Sequence, residues 1–325
     1  MENLIFQVGG GIGKCIVATA VCKAFKKKYP EHNITVVTGW PEIFKRNPNV
    51  DKVYRFGETR YFYEENIMDK EPLLFSQEVY LSREHIVEKK PLRQSWIEMC
   101  GMDYEGEMPE LFFNPVLEDD IRERYKREKP VLLMHTNGGP VPDREVASHY
   151  SWCRDLPKRF VRKIYGELSD RYHVLQVCNH QSQVIEGAEV VEGLNEIEIM
   201  LLLKCTSKRL LIDSCLQHGA ATMNIESTVL WIGNDPDVWG YPIHDNMTPT
   251  ADAKFKSPTT DLYSEYDINS PKDQYPYDTD MLFSVKEVLK SIETQYYADE
   301  LSPTSVPYDN NSERDGSGST DTIDV

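Results

Sequence analysis

A short apolar run, a cluster of glycines and a helical segment follow one another at the start of the sequence. Leu4–Val8 has the composition of a strand buried on both faces, and four glycines stand between residues 9 and 13. Apolar positions then recur at helical spacing from about Lys14 to Lys28, and Ile34–Thr38 has the composition of the next strand. This alternation predicts a parallel sheet with helices on both faces.

The alternation continues less regularly and then starts again after a charged segment, Glu118–Lys129, which is predicted to be a linking helix. In the first half we predict a helix Glu42–Arg46, strands Val50–Phe56 and Leu73–Leu81, and a helix Leu92–Cys100. In the second half we predict strands Val131–His135, His173–Cys178, Leu210–Ile212 and Thr228–Ile232, alternating with helices Pro157–Tyr172, Ile197–Lys204 and Leu216–Met223.

These patterns predict an α/β protein with two Rossmann-like domains, residues 1–125 and 126–280, because a chain of 325 residues rarely forms one core. The stretch 235–280 is rich in Asp, Pro and Thr and is predicted to be loops. A C-terminal helix is predicted within 281–297. The Ser, Asp, Gly and Thr composition of residues 298–325 predicts a disordered acidic tail, since it cannot bury a core.

Charge and composition exclude several classes of protein. The formal net charge is −17, which disfavours nucleic acid as a general partner. No apolar stretch approaches the roughly 20 residues of a membrane span, and the first residues lack the basic region of a secretory signal. The seven cysteines form no C-x-x-C pair. We therefore expect a cytoplasmic protein without a membrane span, a bound metal or a cofactor.

The glycine cluster is the first candidate for chemistry. Glycines between a strand and a helix allow close backbone approach and direct amide N–H groups at an anion. A P-loop ending at Gly13-Lys14 would require glycine at position 8 and a hydroxyl residue at position 15, where Val8 and Cys15 stand. The dinucleotide fingerprint also fails at its last glycine. A turn that only packs the helix on the strand remains the alternative.

Two further candidates lie where strands of the second half end. Asp213 and Ser214 follow a buried strand and precede a helix that carries His218, an arrangement that suits a diphosphate. N-capping by Asp213 and Ser214 and a hydrogen-bonded core position for His218 are the alternatives. Strand ends are also where open α/β sheets bind ligands. The remaining candidates there are His135, Asn137 and Gly138 after the first strand and Arg154 before its helix. The loop after the last strand, Gly233-Asn234-Asp235-Pro236 with Gly240-Tyr241, could close over a ligand or simply turn the chain.

Taken together, the motifs resemble glycosyltransferase family 9, the heptosyltransferase-like enzymes of the GT-B fold. The resemblance covers most of residues 3–245. The matching segments, in order, are Gly10-Gly11-Ile12-Gly13, Lys28-Tyr29-Pro30, Pro41-Glu42, Asn47-Pro48-Asn49-Val50-Asp51, and Asp213-Ser214-Cys215-Leu216-Gln217-His218-Gly219-Ala220-Ala221. The last of these is similar to the family's signature Asp-Ser-Gly-x-x-His-x-Ala-Ala.

The resemblance implies a metal-independent transferase with two Rossmann-like domains facing across a cleft. The C-terminal domain would bind a nucleoside-diphosphate sugar, through amides at Ser214, Cys215 and His218 and through Arg154 as a second cation. The N-terminal domain would present an acceptor hydroxyl, of a glycan, a glycolipid or another molecule, beside Gly10, Gly11 and Gly13.

Two positions depart from the family pattern. The family usually has an aspartate, the catalytic base, directly after the last glycine of the first turn, and here that residue is Lys14. Cys215 stands where the diphosphate loop usually has glycine. His85 is the candidate base by chemistry, and an exposed helix residue is its alternative interpretation. Lys14 also keeps two other hypotheses open: a non-catalytic nucleotide-sugar-binding protein, and a small-molecule kinase that would use Gly13-Lys14.

Overall fold

Two parallel β-sheets form the framework of the protein. The computed structural model describes residues 2–138, 154–178, 183–254 and 277–296. The predicted α/β class is therefore confirmed within these residues. The predicted tail, residues 298–325, lies outside them.

The first sheet has four strands in the order β3-β2-β1-β4. Its strands are β1 (Asn3–Val8), β2 (Asn33–Thr38), β3 (Lys52–Arg55) and β4 (Leu73–Phe75). β1 pairs with β2 on one side and with β4 on the other, all in parallel. The chain therefore leaves β1 towards one side of the sheet first and returns to the other side later.

The helices of the first half are mostly short. They are α1 (Ile12–Lys28), α2 (Phe62–Asn66), α3 (Arg83–Ile86), α4 (Leu92–Met99) and α5 (Pro115–Arg124), with 3₁₀ helices at Pro41–Ile43 and Val79–Leu81. Two predictions are wrong here. The segment Leu73–Leu81 is a three-residue strand followed by a 3₁₀ helix. The helix predicted at Glu42–Arg46 is a 3₁₀ turn, Pro41–Ile43, that begins at Pro41, whose fixed φ suits a first helical position.

The second sheet has six strands in the order β10-β9-β8-β5-β6-β7. They are β5 (Val131–His135), β6 (His173–Val177), β7 (Glu189–Val190), β8 (Lys208–Ile212), β9 (Thr228–Leu230) and β10 (Asp245–Met247). Read from the opposite edge and counted along this half, the order is third, second, first, fourth, fifth, sixth, which is that of dinucleotide-binding sheets. β5 pairs with both β6 and β8.

The helices of this half are α6 (Lys158–Leu168), α7 (Glu196–Lys204), α8 (Cys215–Thr222), α9 (Pro236–Trp239) and α10 (Val285–Thr294). Asn195 and Glu198 form a capping box at the start of α7. The stretch 235–254 is not all loop as predicted, since α9 and β10 lie in it. Among the described helices, none combines the length and the apolarity needed to cross a bilayer.

Buried apolar side chains continue from the first sheet into the second half. One cluster contains Phe6 of β1, Phe25 of α1 and Leu216 of α8, and helices α1 and α8 pack against each other. A second cluster, which includes Phe160 and Phe283, packs α6 and α10 against the other face of the second sheet. Burial of these side chains supplies the main stabilisation of both halves.

The last helix is tied to the second sheet by polar contacts. The Gln295 side chain accepts a hydrogen bond from the backbone N–H of Arg209 at 2.9 Å and donates one to its carbonyl at 2.8 Å. It also donates to the Thr228 hydroxyl at 2.8 Å. The Gln295 amide therefore joins β8 and β9 at the end where both strands begin.

Candidate functional site

The second sheet changes direction between β5 and β8, and the predicted donor-binding residues lie at that point. In open α/β sheets, ligands bind in the crevice outside the carboxyl ends of the strands at such a reversal. His135 ends β5, and Ser214 follows β8 as the N-cap of α8. The backbone N–H groups of the first turn of α8 therefore face the position where an anion would bind.

A hydrogen bond joins the ends of the two strands. Ser214 Oγ lies 2.7 Å from His135 Nδ1 and also accepts a hydrogen bond from the Leu216 backbone N–H at 3.4 Å. Burial lowers the pKa of His135 to about 4, and the charge of Arg154 acts in the same direction. His135 is therefore neutral at pH 7 and orients the Ser214 hydroxyl.

Arg154 lies beside this pair. It stands in a turn four residues before α6 begins at Lys158, in agreement with its predicted place before that helix. A Cβ atom added to Gly138 would lie 3.4 Å from Arg154 Cδ and 3.7 Å from Ser214 Cβ. The Arg154 side-chain stem and the Ser214 side chain therefore both lie against Gly138, at distances of ordinary van der Waals contact. Residues 139–153, which directly precede Arg154, lie outside the described residues.

Two buried carboxyl groups hold the loops around Arg154. Asp155 accepts a hydrogen bond from the Gly138 backbone N–H at 3.0 Å. Asp213 accepts one from the Asn234 amide, which brings the loop after β9 to this site. Burial raises the pKa of Asp213, and the charge of Arg154 opposes that effect. Asn137 is also buried here, and its side-chain oxygen has no hydrogen-bond partner among the described residues.

His218 lies one turn further along α8 and faces the first half of the chain. Its Nδ1 is 2.9 Å from the Tyr241 hydroxyl, and burial lowers its pKa to about 3. A Cβ atom on Gly13 would lie 3.0 Å from His218 Cδ2 and 3.4 Å from the Cys215 Cα, so α1 and α8 approach each other closely there. This environment is that of a hydrogen-bonded core histidine, and donor binding by His218 stays a prediction.

The first sheet also reverses direction, between β1 and β4. The glycine turn follows β1, and neither Gly9 nor Gly11 has a neighbour within 4 Å of where a side chain would begin. Gly10 has a φ of +95°, which favours glycine, and a Cβ there would lie 3.0 Å from Lys14 Cδ. The Lys14 side chain therefore folds back over the turn.

His85 occupies a different environment from the one that the sequence suggested. It is only 5% exposed, so the interpretation as an exposed helix residue is wrong. Its ring centroid lies 5.1 Å from that of Trp239 and 5.6 Å from that of Tyr80. His85 is thus packed between aromatic side chains of the two halves.

Comparison with solved structures shows which known fold this chain shares. The chain is similar to a glycosyltransferase of family 9 from Veillonella parvula, with 12% identity and a TM-score of 0.64 over 90% of this chain and 96% of that one. It is similar to Escherichia coli ADP-heptose lipopolysaccharide heptosyltransferase II, with 13% identity and a TM-score of 0.63 over 90% and 98%. The Escherichia coli heptosyltransferase WaaC solved with ADP gives 10% identity and a TM-score of 0.53 over 77% and 94%.

The chain has the fold of glycosyltransferase family 9. No protein-family model and no curated protein matches the sequence, so the likeness rests on structure. It extends over both sheets, because nine-tenths of the chain is covered in each of the first two comparisons. The resemblance inferred from the motifs is thereby confirmed at the level of the fold.

Two residues near the strand ends are not evident from the sequence. Glu78 and Arg93 contact the site or its neighbours, and neither belongs to a motif. Asp155, in contrast, lies in the candidate segment that contains Arg154. Among the described residues, no group of three or more His, Cys, Asp or Glu side chains is arranged to hold a metal ion.

Three buried histidines should make stability fall in mild acid. Burial lowers the pKa of His135 and His244 to about 4 and of His218 to about 3. Their pKa in the unfolded chain is about 6.5, so the unfolded state takes up protons first as pH falls. The stabilisation that these neutral histidines contribute to the folded state is complete above about pH 6.5 and is lost as the pH falls towards 4. We expect urea denaturation to show a loss on the order of 1–2 kcal/mol per histidine between pH 7 and pH 5.

The control for this prediction is His244→Gln, because glutamine can still donate to the Gln217 carbonyl that His244 Nε2 contacts at 2.9 Å. This variant should lose about a third of the pH dependence. An identical slope in both proteins would contradict the assignment.

Proposed function

We propose that the protein is a glycosyltransferase that moves a sugar from a nucleoside-diphosphate sugar to an acceptor hydroxyl without a metal ion. The observation that carries this proposal is the meeting of Ser214, His135 and Arg154 at the reversal of the second sheet. The start of a helix and a guanidinium at such a point suit a diphosphate. The shared fold with family 9 structures supports the same conclusion.

In this proposal the second half, residues 126–280, binds the donor. The N–H groups at Ser214 and Cys215 and the Arg154 guanidinium would stabilise the charge that develops on the departing diphosphate, which is the part that a metal ion plays elsewhere. Burial raises the pKa of Cys215 to about 11, so its thiol is neutral and adds no negative charge there.

The first half, residues 1–125, would present the acceptor across a cleft. Its sheet reverses direction at the glycine turn, and the open space around Gly9 and Gly11 leaves room for a ligand. Gly13 brings this turn next to α8. The six described cysteines are free thiols, which supports a reducing compartment such as the cytoplasm.

A non-catalytic nucleotide-sugar-binding protein is the second candidate function. Lys14 favours it, because this residue is buried and paired with Glu78 at the position where the family resemblance expects a catalytic aspartate. Donor binding without turnover would distinguish this candidate from the transferase.

A thermal-shift panel tests the proposed function. With ADP-, GDP-, UDP- and CDP-glucose and ADP-heptose at 100 times their Kd, binding to the folded state adds about 2.7 kcal/mol to the free energy of unfolding. ADP-heptose is included because the name of the Escherichia coli heptosyltransferase II contains it. We expect one nucleotide to stabilise selectively, and hydrolysis of that donor to be measurable. Stabilisation by none of them would refute the proposal.

A further inference from the structure

We propose that Glu78 accepts the proton of the acceptor hydroxyl and that Lys14 holds its carboxylate in position. The inference rests on the proposed function, and it assigns a residue that no motif contains. It starts from the reversal of the first sheet, because the crevice at the ends of β1 and β4 is where a ligand of this half would bind.

Glu78 is the one acidic residue in the two segments that line this reversal. These segments are residues 9–14, after β1, and residues 76–81, after β4. The first turn of α1 carries no acidic residue. Transfer to a hydroxyl needs a positioned group that takes the proton, and a carboxylate is one of the side chains that do so.

A buried ammonium fixes the carboxylate beside the glycine turn. Lys14 Nζ forms an ion pair with Glu78 Oε1, and the Lys14 side chain is 6% exposed while that of Glu78 is 42% exposed. Oε1 also accepts a hydrogen bond from the Tyr80 backbone N–H at 3.3 Å. Lys14 Nζ itself lies 4.6 Å from the Tyr80 ring centroid and 5.4 Å from that of Trp96. The cation is thus enclosed and the carboxylate faces outward.

The ion pair with Lys14 leaves one oxygen of the Glu78 carboxylate able to accept a proton. Both hydrogen bonds of the Glu78 side chain with described residues use Oε1, so Oε2 is available to a hydroxyl in the crevice. The other carboxyl groups near the site differ in this respect. Asp213 and Asp155 are buried and accept hydrogen bonds from Asn234 and Gly138.

The proposed step balances without a further reactant. The acceptor oxygen forms a bond to the anomeric carbon of the donor, and its proton passes to Glu78 Oε2. The bond between the anomeric carbon and the diphosphate oxygen breaks, and its electron pair leaves with the nucleoside diphosphate. With water as acceptor, the same step gives the free sugar.

The test compares water with azide as acceptor, in the presence of the donor that stabilises the protein in the panel. Azide is an anionic nucleophile and needs no base. In Glu78→Gln we expect donor hydrolysis to fall 10²- to 10⁴-fold, while formation of the glycosyl azide stays within about threefold of the wild-type rate. Lys14→Met should also slow hydrolysis and spare the azide reaction, because it only positions the carboxylate.

Glu65→Gln is the matched control. Glu65 pairs with Lys52 at 2.7 Å in the same half, and its side chain is 41% exposed. This variant should hydrolyse the donor at the wild-type rate. The inference is overturned if Glu78→Gln hydrolyses the donor within threefold of wild type, or if it binds the donor but reacts with neither water nor azide. Wild-type protein that consumes no donor would instead refute the proposed function, and the inference with it.

Discussion

Replacing Arg154 by alanine is expected to weaken the binding of the preferred nucleoside-diphosphate sugar by about 100-fold, or about 2.7 kcal/mol. The Arg154 side chain lies close to Ser214 at the start of α8 and places a positive charge near the proposed diphosphate position. Charge-assisted hydrogen bonds to a diphosphate are stronger than hydrogen bonds between neutral groups, and the alanine side chain cannot form them. Isothermal titration with the donor identified by thermal shift measures the change.

Arg159→Ala is the control for this measurement. Arg159 belongs to the same segment, but its side chain is 77% exposed and pairs with Asp280 at 3.4 Å. Its removal should leave the donor affinity within about twofold, as expected for a solvated ion pair. An equal loss in both variants would show that general charge, rather than the position of Arg154, attracts the donor.

Replacing Arg209 by methionine is expected to destabilise the protein by about 3–5 kcal/mol. This guanidinium is fully buried and donates to the backbone carbonyls of Leu203 at 3.0 Å, Thr206 at 2.6 Å and Glu226 at 3.2 Å. A methionine of similar volume would remove these donors, and the Leu203 carbonyl would keep only the Thr206 hydroxyl at 3.0 Å. Urea denaturation at pH 7 measures the difference in the free energy of unfolding.

Arg171→Met provides the comparison for Arg209. Arg171 is 52% exposed and pairs with Glu293 of α10 at 2.7 Å, so its loss should cost less than about 1 kcal/mol. If both variants lost the same stability, the carbonyl contacts of Arg209 would not be the reason for its burial.

The central strands of the second sheet could be predicted from the sequence because they are buried on both faces. Val131–His135 forms a strand with the predicted bounds, and every residue in it is buried. The segment between residues 57 and 115 could not be predicted in the same way. Leu73 and Leu74 of β4 are exposed, and the strand is three residues long, so that its pairing with β1 decides the conformation rather than its own composition.

The candidate site likewise contains some contacts that the sequence could predict and others that it could not. Ser214 and His135 could be predicted because the ends of neighbouring parallel strands meet at one edge of a sheet. The contact between Lys14 and Glu78 joins residues 64 positions apart, and no local pattern encodes it. His85 became buried through Trp239, a residue of the other half, so its environment depends on how the two halves pack.

The contact of Gln295 with β8 also bears on when the protein can fold during its synthesis. Chains fold from the N-terminus as they leave the ribosome, and the first sheet is complete once residue 75 has emerged. The backbone groups of Arg209 lack their partner until Gln295 has been made. We therefore expect the start of β8 to gain these hydrogen bonds only after translation has passed Gln295.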